Sequence, residues 1–106
     1  MTNGSPLQLA PCDSSYLQYW QMIPDGTIRA EGLCMDRSGA STADFTQIQV
    51  ANCSGDPAQQ FVYDAGANHI YSPTADKCVN IEYTMNPPGV LDYGCLSQGN
   101  QWFVLI

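Results

Sequence analysis

The sequence predicts an all-β domain built from three copies of one repeat. Residues 95–103 have two earlier counterparts, 53–61 and 12–20. In all three segments a cysteine lies eight residues before an aromatic residue, and a glutamine lies two residues before the same aromatic. The three cysteines lie 41 and 42 residues apart, and the aromatics repeat those intervals. Such a regular period indicates a repeat architecture. Short alternating segments divided by Gly, Pro and Asn favour strands, and no window supports a long helix.

The second repeat, residues 23–63, shows the unit most completely. Four short strands are predicted in it, at residues 27–30, 33–35, 46–50 and 60–63. The first strand follows the turn signal Pro24-Asp25-Gly26, and the second follows Gly32. Residues 46–50 alternate between polar and apolar side chains, which is typical of a half-buried strand.

The third repeat, residues 64–106, predicts strands at 69–72, 77–80, 89–93 and 102–105. Prolines lie between these segments, where a missing N–H disturbs no strand pairing. The first repeat, residues 1–22, is partial. Its residues 7–12 match 48–53, but nothing precedes them to match 32–36. Residues 1–106 are therefore expected to form one domain with about two and a half of three repeats.

Cysteine spacing predicts the disulfides. Cys34 precedes Cys53 by 19 residues and Cys78 precedes Cys95 by 17, so these are the expected pairs. Each closed loop contributes about 3 kcal/mol in the chain-entropy account. Cys12 has no counterpart and is expected to be unpaired. Either the first repeat is truncated at its N-terminus and completed by an upstream domain or a separate chain, or it has degenerated around a buried free thiol.

Composition narrows the class of partner. The net charge is −7 with three basic residues, which opposes binding to nucleic acid or to an anionic membrane. No apolar stretch is long enough to span a bilayer, so membrane insertion is not expected. Asn, Gln, Ser, Thr and Tyr carry most of the polarity, which favours a partner with neutral hydroxyls, such as a sugar. The cysteine content is typical of a secreted, extracellular protein.

Five short segments carry a resemblance to a known family. They are Gln18-Tyr19-Trp20, Gln59-Gln60-Phe61, Gln101-Trp102-Phe103, Cys34-Met35-Asp36 and Cys78-Val79-Asn80. Together the segments resemble the Gln-x-Trp and Cys-x-Asp elements of the ricin B-type lectins, over the whole chain. The resemblance implies a β-trefoil with pseudo-threefold symmetry. In such a fold Trp20, Phe61 and Phe103 are expected to point into a shared core.

The resemblance also implies carbohydrate-binding pockets, at most one per repeat. In the third repeat Tyr93 is expected to stack on a sugar ring, with Asn100 and Gln101 facing outward beside it. Asn80 takes the position of the family's aspartate and loses the charge-assisted hydrogen bonds of a carboxylate. Glu82 is a candidate to supply that missing carboxylate. The alternative interpretation of Tyr93 is a half-buried strand tyrosine.

The other two repeats are expected to bind sugar weakly or not at all. The second repeat offers Asp36, Gln49 and Gln59, but it has Ala51 where the stacking aromatic should be. The first repeat has Ala10 at that position and lacks the acidic residue. One good site is therefore expected.

The predicted function is a non-catalytic lectin module for galactose- or xylose-type glycans. The module is expected to target an attached secreted glycoside hydrolase or to form the lectin part of a toxin. The alternative is a trefoil whose sugar sites have decayed and which serves as a structural or protein-binding subunit. Catalysis, cofactors and metals are not predicted, because no convergent set of titratable groups is visible and His69 is the single histidine.

Overall fold

The computed structural model describes residues 2–11, 18–96 and 98–103. The regular elements of this part are strands and short 3₁₀ turns, which confirms the all-β prediction. The strands are β1 Gln21–Met22, β2 Ile28–Ala30, β3 Leu33–Arg37, β4 Ile48–Asn52, β5 Val62–Asp64, β6 His69–Ser72, β7 Lys77–Glu82 and β8 Gly89–Tyr93. No described helix is both long and apolar enough to cross a membrane.

The strands form two antiparallel sheets with the same internal order, β1-β2-β3-β4 and β5-β6-β7-β8. The sheets are successive copies of one unit, because Cys34 pairs with Ala51 in the first and Cys78 pairs with Tyr93 in the second. The predicted strand order is confirmed, although β1 was not predicted and β3 and β7 extend two residues further than expected. The strand predicted at residues 102–105 is not present at 102–103, and its remainder lies outside the described residues.

Equivalent segments of the three repeats meet in a closed ring. Isolated β-bridges join Pro6 to Gln49, Gln8 to Gly89 and Gln47 to Leu91. Two backbone hydrogen bonds hold the first repeat in this ring. The N–H of Leu7 donates to the carbonyl oxygen of Ile48, and that of Leu9 donates to the carbonyl oxygen of Pro88, both at 2.9 Å. The segment before residue 10 thus takes the place that β4 and β8 take in their own repeats. The ring establishes the threefold arrangement expected from the repeats.

The apolar core is built from residues of both sheets. Its buried members are Ile28, Met35, Ile48, Phe61, Val79, Ile81 and Val90, with Leu7, Ile70 and Phe103 packed against them. Phe61 and Phe103 take equivalent places, since their N–H groups donate to turn oxygens of Gly26 (2.9 Å) and Asn68 (2.8 Å). Gly26 has a φ of 91°, a conformation that glycine adopts without strain. The inward placement predicted for these two aromatics is confirmed.

The prediction for Trp20 is wrong. Its side chain is 36% exposed, whereas the equivalent Phe61 is 4% exposed. Leu9 shows the same contrast, with 43% exposure against 0% for Val50. The physical reason is local: Met35 on β3 lies opposite Val50 and covers it, and no described strand occupies that place beside Leu9. The first repeat therefore presents apolar side chains that the second repeat buries.

Both predicted disulfides are confirmed. Cys34–Cys53 links β3 to the segment after β4, with the Cα atoms 5.2 Å apart. Cys78–Cys95 makes the equivalent link from β7, at 5.0 Å. Cys12 lies outside the described residues, so its unpaired state stays a prediction.

Two charged side chains occupy positions that are apolar in the neighbouring repeat. Arg37 and Asp92 are each 1% exposed, and their equivalents are Ile81 and Val50. Asp92 accepts a hydrogen bond from the Thr46 N–H at 2.8 Å through Oδ1, while its Oδ2 has no hydrogen-bond partner among the described residues. Burial raises the pKa of Asp92, and the hydrogen bond from Thr46 opposes this shift. The sequence pattern did not indicate this buried pair of charges.

Replacing Asp92 with asparagine is expected to stabilise the fold more at neutral pH than at acid pH. Because the folded-state pKa lies above the usual 3.8, ionisation costs stability. That cost is absent below the unfolded pKa and complete above the folded one, while asparagine keeps an acceptor for the Thr46 N–H. Urea unfolding of Asp92→Asn and wild type at about pH 3 and pH 7 measures the difference. A difference that does not change with pH would contradict the prediction.

Candidate functional site

In each repeat the side chain of the repeated glutamine is bonded to a backbone carbonyl before it. Its side-chain nitrogen donates to the carbonyl oxygen seven residues earlier, from Gln18 to Pro11 at 2.8 Å, from Gln59 to Asn52 at 3.0 Å and from Gln101 to Gly94 at 3.1 Å. The oxygens of Gln59 and Gln101 also accept backbone N–H groups, those of Ser54 (3.0 Å) and Leu96 (2.7 Å). The repeated glutamine is therefore explained by backbone groups that would otherwise lack partners.

Two of the predicted site residues consequently point inward. Gln101 is 0% exposed and Gln59 is 2% exposed. The expectation that Gln101 faces outward beside Tyr93 is wrong, because both ends of its amide are bonded inside the loop. The sequence pattern identified both positions as important, but it predicted the wrong direction for the side chain of Gln101.

Asn80, Asn100 and Gln101 come together in the third repeat, as predicted. Asn80 lies on β7 and is 5% exposed. Its Oδ1 accepts hydrogen bonds from Asn100 Nδ2 at 3.0 Å and from Gln101 Nε2 at 3.1 Å. Within the described part of the chain, Asn80 Nδ2 and Asn100 Oδ1 have no hydrogen-bond partner. The two hydrogen bonds to its Oδ1 thus fix the orientation of the Asn80 amide.

Tyr93, at the end of β8, lies on the same face of the β7–β8 pair as Asn80, and a second aromatic supports it. The ring of Phe45 stacks on Tyr93, with centroids 4.9 Å apart and an interplanar angle of 30°. Phe45 is 54% exposed, and its N–H donates to the backbone carbonyl oxygen of Asp92 at 2.8 Å. Because Phe45 covers one face of Tyr93, a sugar ring would have to stack on the other face or on Phe45 itself. Sequence reasoning missed Phe45, which lies in a loop outside the repeated motifs.

Glu82 has a local structural role. Its carboxylate accepts hydrogen bonds from the Thr84 hydroxyl at 2.8 Å and from the Thr84 N–H at 3.1 Å. The hydroxyl, and then the N–H, lower the pKa of Glu82. The carboxylate therefore caps the turn after β7, and it makes no hydrogen bond to the amides of Asn80 or Asn100 among the described residues.

The second repeat brings together a smaller set. Asp36 accepts a hydrogen bond from Gln49 at 2.8 Å, and the two residues are register partners on β3 and β4. Gln59 is not part of this pair, since its amide is used by Asn52 and Ser54. The positions equivalent to Tyr93 and Asn100 hold alanines, Ala51 and Ala58. An acid and an amide remain, without an aromatic platform.

His69 lies close to the Cys78–Cys95 disulfide. The histidine nitrogen and the two sulfurs lie within 4.8 Å of one another. The sulfurs are bonded to each other, however, and the histidine Nε2 is 2.9 Å from the Leu96 oxygen. Metal binding by cysteine requires thiolates, which a disulfide does not provide. The cluster is therefore a structural contact in this oxidised state.

Known structures show the same fold. The designed threefold-symmetric protein ThreeFoil superposes with a TM-score of 0.83 at 22% identity, covering 94% of this chain and 79% of that one. The agglutinin of Abrus precatorius superposes with a TM-score of 0.81 at 20% identity, covering 95% of this chain and 40% of that one. These likenesses confirm the β-trefoil.

Curated relatives match about half of the chain. Nigrin b from Sambucus nigra is 42% identical over 53 residues, which are 50% of this chain and 9% of the relative. The ribosome-inactivating protein PMRIPt from Polygonatum multiflorum is 38% identical over 55 residues, 52% of this chain and 9% of the relative. The matched region is thus a small part of each of these longer proteins. The family model described as the ricin-type beta-trefoil lectin domain matches residues 1–103, and the chain belongs to this family.

Proposed function

We propose that this domain binds neutral galactose- or xylose-type glycans non-covalently at the pocket of the third repeat. Tyr93 and Phe45 supply the stacking surface, and Asn80 and Asn100 supply the hydrogen bonds. The observation that carries the proposal is this stacked aromatic pair beside two amides whose outer atoms have no hydrogen bond among the described residues. Gln101 acts behind the pocket by holding Asn80 in place.

The chemistry of the pocket suits a sugar ring. One face of a pyranose is made of C–H groups and packs on an aromatic ring, which adds on the order of 1 kcal/mol beyond burial. Asn80 donates to one hydroxyl and Asn100 accepts from another. Since neutral hydrogen bonds are about half as strong as those of a carboxylate, a single site with Kd near 1 mM is expected.

The names of several relatives support the choice of ligand. A relative from Viscum album, 40% identical over 48 residues, is called beta-galactoside-specific lectin 3. A structural neighbour from Momordica charantia was solved with α-methyl-D-galactoside, and an earthworm lectin C-half with GalNAc. These names favour galactose-type sugars. The xylose-type alternative depends on the family resemblance alone.

The wider role follows from weak, single-site binding. A module of this kind contributes proximity, since it holds an attached partner at a glycan surface without catalysing a reaction. We place the protein outside the cell, where its disulfides are stable, attached to a secreted enzyme or a toxin. An upstream segment or a separate chain that completes the first repeat would cover the exposed Leu9 and Trp20.

Replacing Tyr93 with alanine tests the site. We expect binding to galactosides or xylo-oligosaccharides to weaken at least tenfold, about 1.4 kcal/mol, because the sugar loses its stacking surface. Affinity electrophoresis and isothermal titration measure the change. Tyr83→Ala is the matched control, because Tyr83 is a 63% exposed tyrosine outside the pocket. Equal binding by wild type and Tyr93→Ala would mean that the site lies elsewhere.

The substitutions at Ala51, Ala58 and Asn80 favour a second candidate function. The two alanines remove an aromatic and an amide contact to the sugar, and Asn80 removes a carboxylate. Such losses are expected in a trefoil that serves as a structural or protein-binding subunit. Wild-type protein that shows no retardation at millimolar sugar would replace the lectin proposal with this one.

A further inference from the structure

A groove lies beside the β1–β2 hairpin, and Tyr93 is not among its lining residues. It has a volume of about 490 Å³, and its lining residues are Tyr19, Gln21, Ile23, Arg29, Glu31 and Gly32. Gln21 on β1 and Arg29 on β2 are register partners, so their side chains lie next to each other on one face of the hairpin. Arg29 in turn pairs with Cys34, and Cys34 pairs with Ala51. The buried Cys34 therefore separates this groove from the second repeat's own platform position.

Arg29 is held in place before any ligand binds. Its Nη2 donates to Asp25 Oδ2 at 2.8 Å, and its Nε donates to the Thr27 hydroxyl at 2.9 Å. That hydroxyl donates to the other oxygen of Asp25 at 2.6 Å. A guanidinium fixed by two neighbours loses little conformational freedom on binding. The guanidinium of Arg29 is thus a rigid polar group in the lining of the groove.

Tyr19 supplies an exposed aromatic wall. Its side chain is 65% exposed. It occupies the middle position of Gln18-Tyr19-Trp20, where the second repeat has Gln60 and the third has Trp102. The ring is thus large, rigid and accessible, which are the properties of a surface on which a sugar ring stacks.

The charges around the groove select the class of ligand. Asp25 offsets the positive charge of Arg29 at 2.8 Å, while Glu31 adds a carboxylate. An anionic ligand is opposed by Glu31 and by the net charge of −7. The guanidinium of Arg29 only donates hydrogen bonds, so its ligand must offer acceptor atoms, which a simple cation lacks. A neutral ligand rich in hydroxyls suits both groups, because hydroxyls accept from a guanidinium and donate to a carboxylate.

We propose that this groove is a second carbohydrate site, in which a neutral pyranose stacks on Tyr19 and hydrogen-bonds to Gln21, Arg29 and Glu31. The site rests on the proposed function for its ligand class but uses none of the residues of the Tyr93 pocket. Two weak sites on separate faces of one domain would bind a branched or multivalent glycan more strongly than either site alone.

A titration followed by ¹⁵N–¹H NMR tests the groove, with methyl α-D-galactoside and methyl β-D-xyloside as the probes. The amide signals of residues 19–32 are expected to shift with at least one probe. Tyr19→Ala is expected to weaken that response at least fivefold, whereas Tyr19→Phe keeps it because the ring remains. Tyr93→Ala is the matched control and leaves the response of residues 19–32 unchanged.

The same titration distinguishes binding in this groove from binding in the Tyr93 pocket. Shifts confined to the surroundings of Tyr93 support the proposed function and overturn the groove. Shifts of residues 19–32 that survive Tyr93→Ala but not Tyr19→Ala support the groove alone. No shift of residues 19–32 at 100 mM of either sugar, or an equal response in Tyr19→Ala, overturns it. The chemical-shift dispersion of each variant reports whether it is folded.

Discussion

Replacing Gln101 with alanine is expected to lower the free energy of unfolding by about 3 kcal/mol. The fully buried amide accepts the Leu96 N–H at 2.7 Å and donates to Gly94 and Asn80 at 3.1 Å each. Alanine leaves the N–H and the carbonyl without partners in the loop beside Cys95. Urea unfolding followed by tryptophan fluorescence measures the loss.

Gln59→Ala is the matched control for Gln101→Ala. Gln59 makes the equivalent bonds to Asn52 and Ser54, but it has no bond to Asp36 among the described residues. Its replacement is expected to cost about 1 kcal/mol less, the value of one hydrogen bond. Gln101→Ala should also weaken sugar binding, since Asn80 loses one of the two donors that orient it. Equal costs for the two variants would show that the bond to Asn80 adds no stability.

Removing the Cys78–Cys95 disulfide is expected to lower stability by about 3 kcal/mol. The two cysteines are 17 residues apart in the sequence. Removing the disulfide that closes this loop mainly increases the conformational entropy of the unfolded chain. For a domain of this size, the melting temperature should fall by roughly 12–24 °C. Thermal unfolding of the Cys78→Ala, Cys95→Ala double variant measures the change. A Cys12→Ser background prevents Cys12 from exchanging with the remaining disulfide.

The Cys34→Ala, Cys53→Ala pair is the comparison for this prediction. Its loop separation is 19 residues, so loop closure predicts almost the same cost. A loss below about 1 kcal/mol for either pair would contradict the prediction. A large difference between the pairs would point to native-state contacts, such as His69 beside Cys95, in place of loop length.

The repeat, most of the strands, their order and both disulfides can be predicted from the amino-acid sequence alone. These features are local or periodic: alternation with period two marks a strand, and equal spacing of the cysteines marks equivalent pairs. The pattern also predicted that Asn80, Asn100 and Gln101 lie together, because these residues occupy fixed places in the repeat. Their sugar contacts stay a prediction.

The direction in which a side chain faces, and the residues that cover it, depend on contacts between distant parts of the chain. Gln101 turns inward because the loop after Cys95 needs its amide for Leu96 and Gly94. Phe45 reaches Tyr93 across the boundary between two repeats, a contact that no motif within a repeat encodes. Trp20 stays exposed although Phe61 is buried. Residues at equivalent positions of two repeats differ in burial when their neighbours differ. Burial depends on what packs against a side chain and not on its place in the motif.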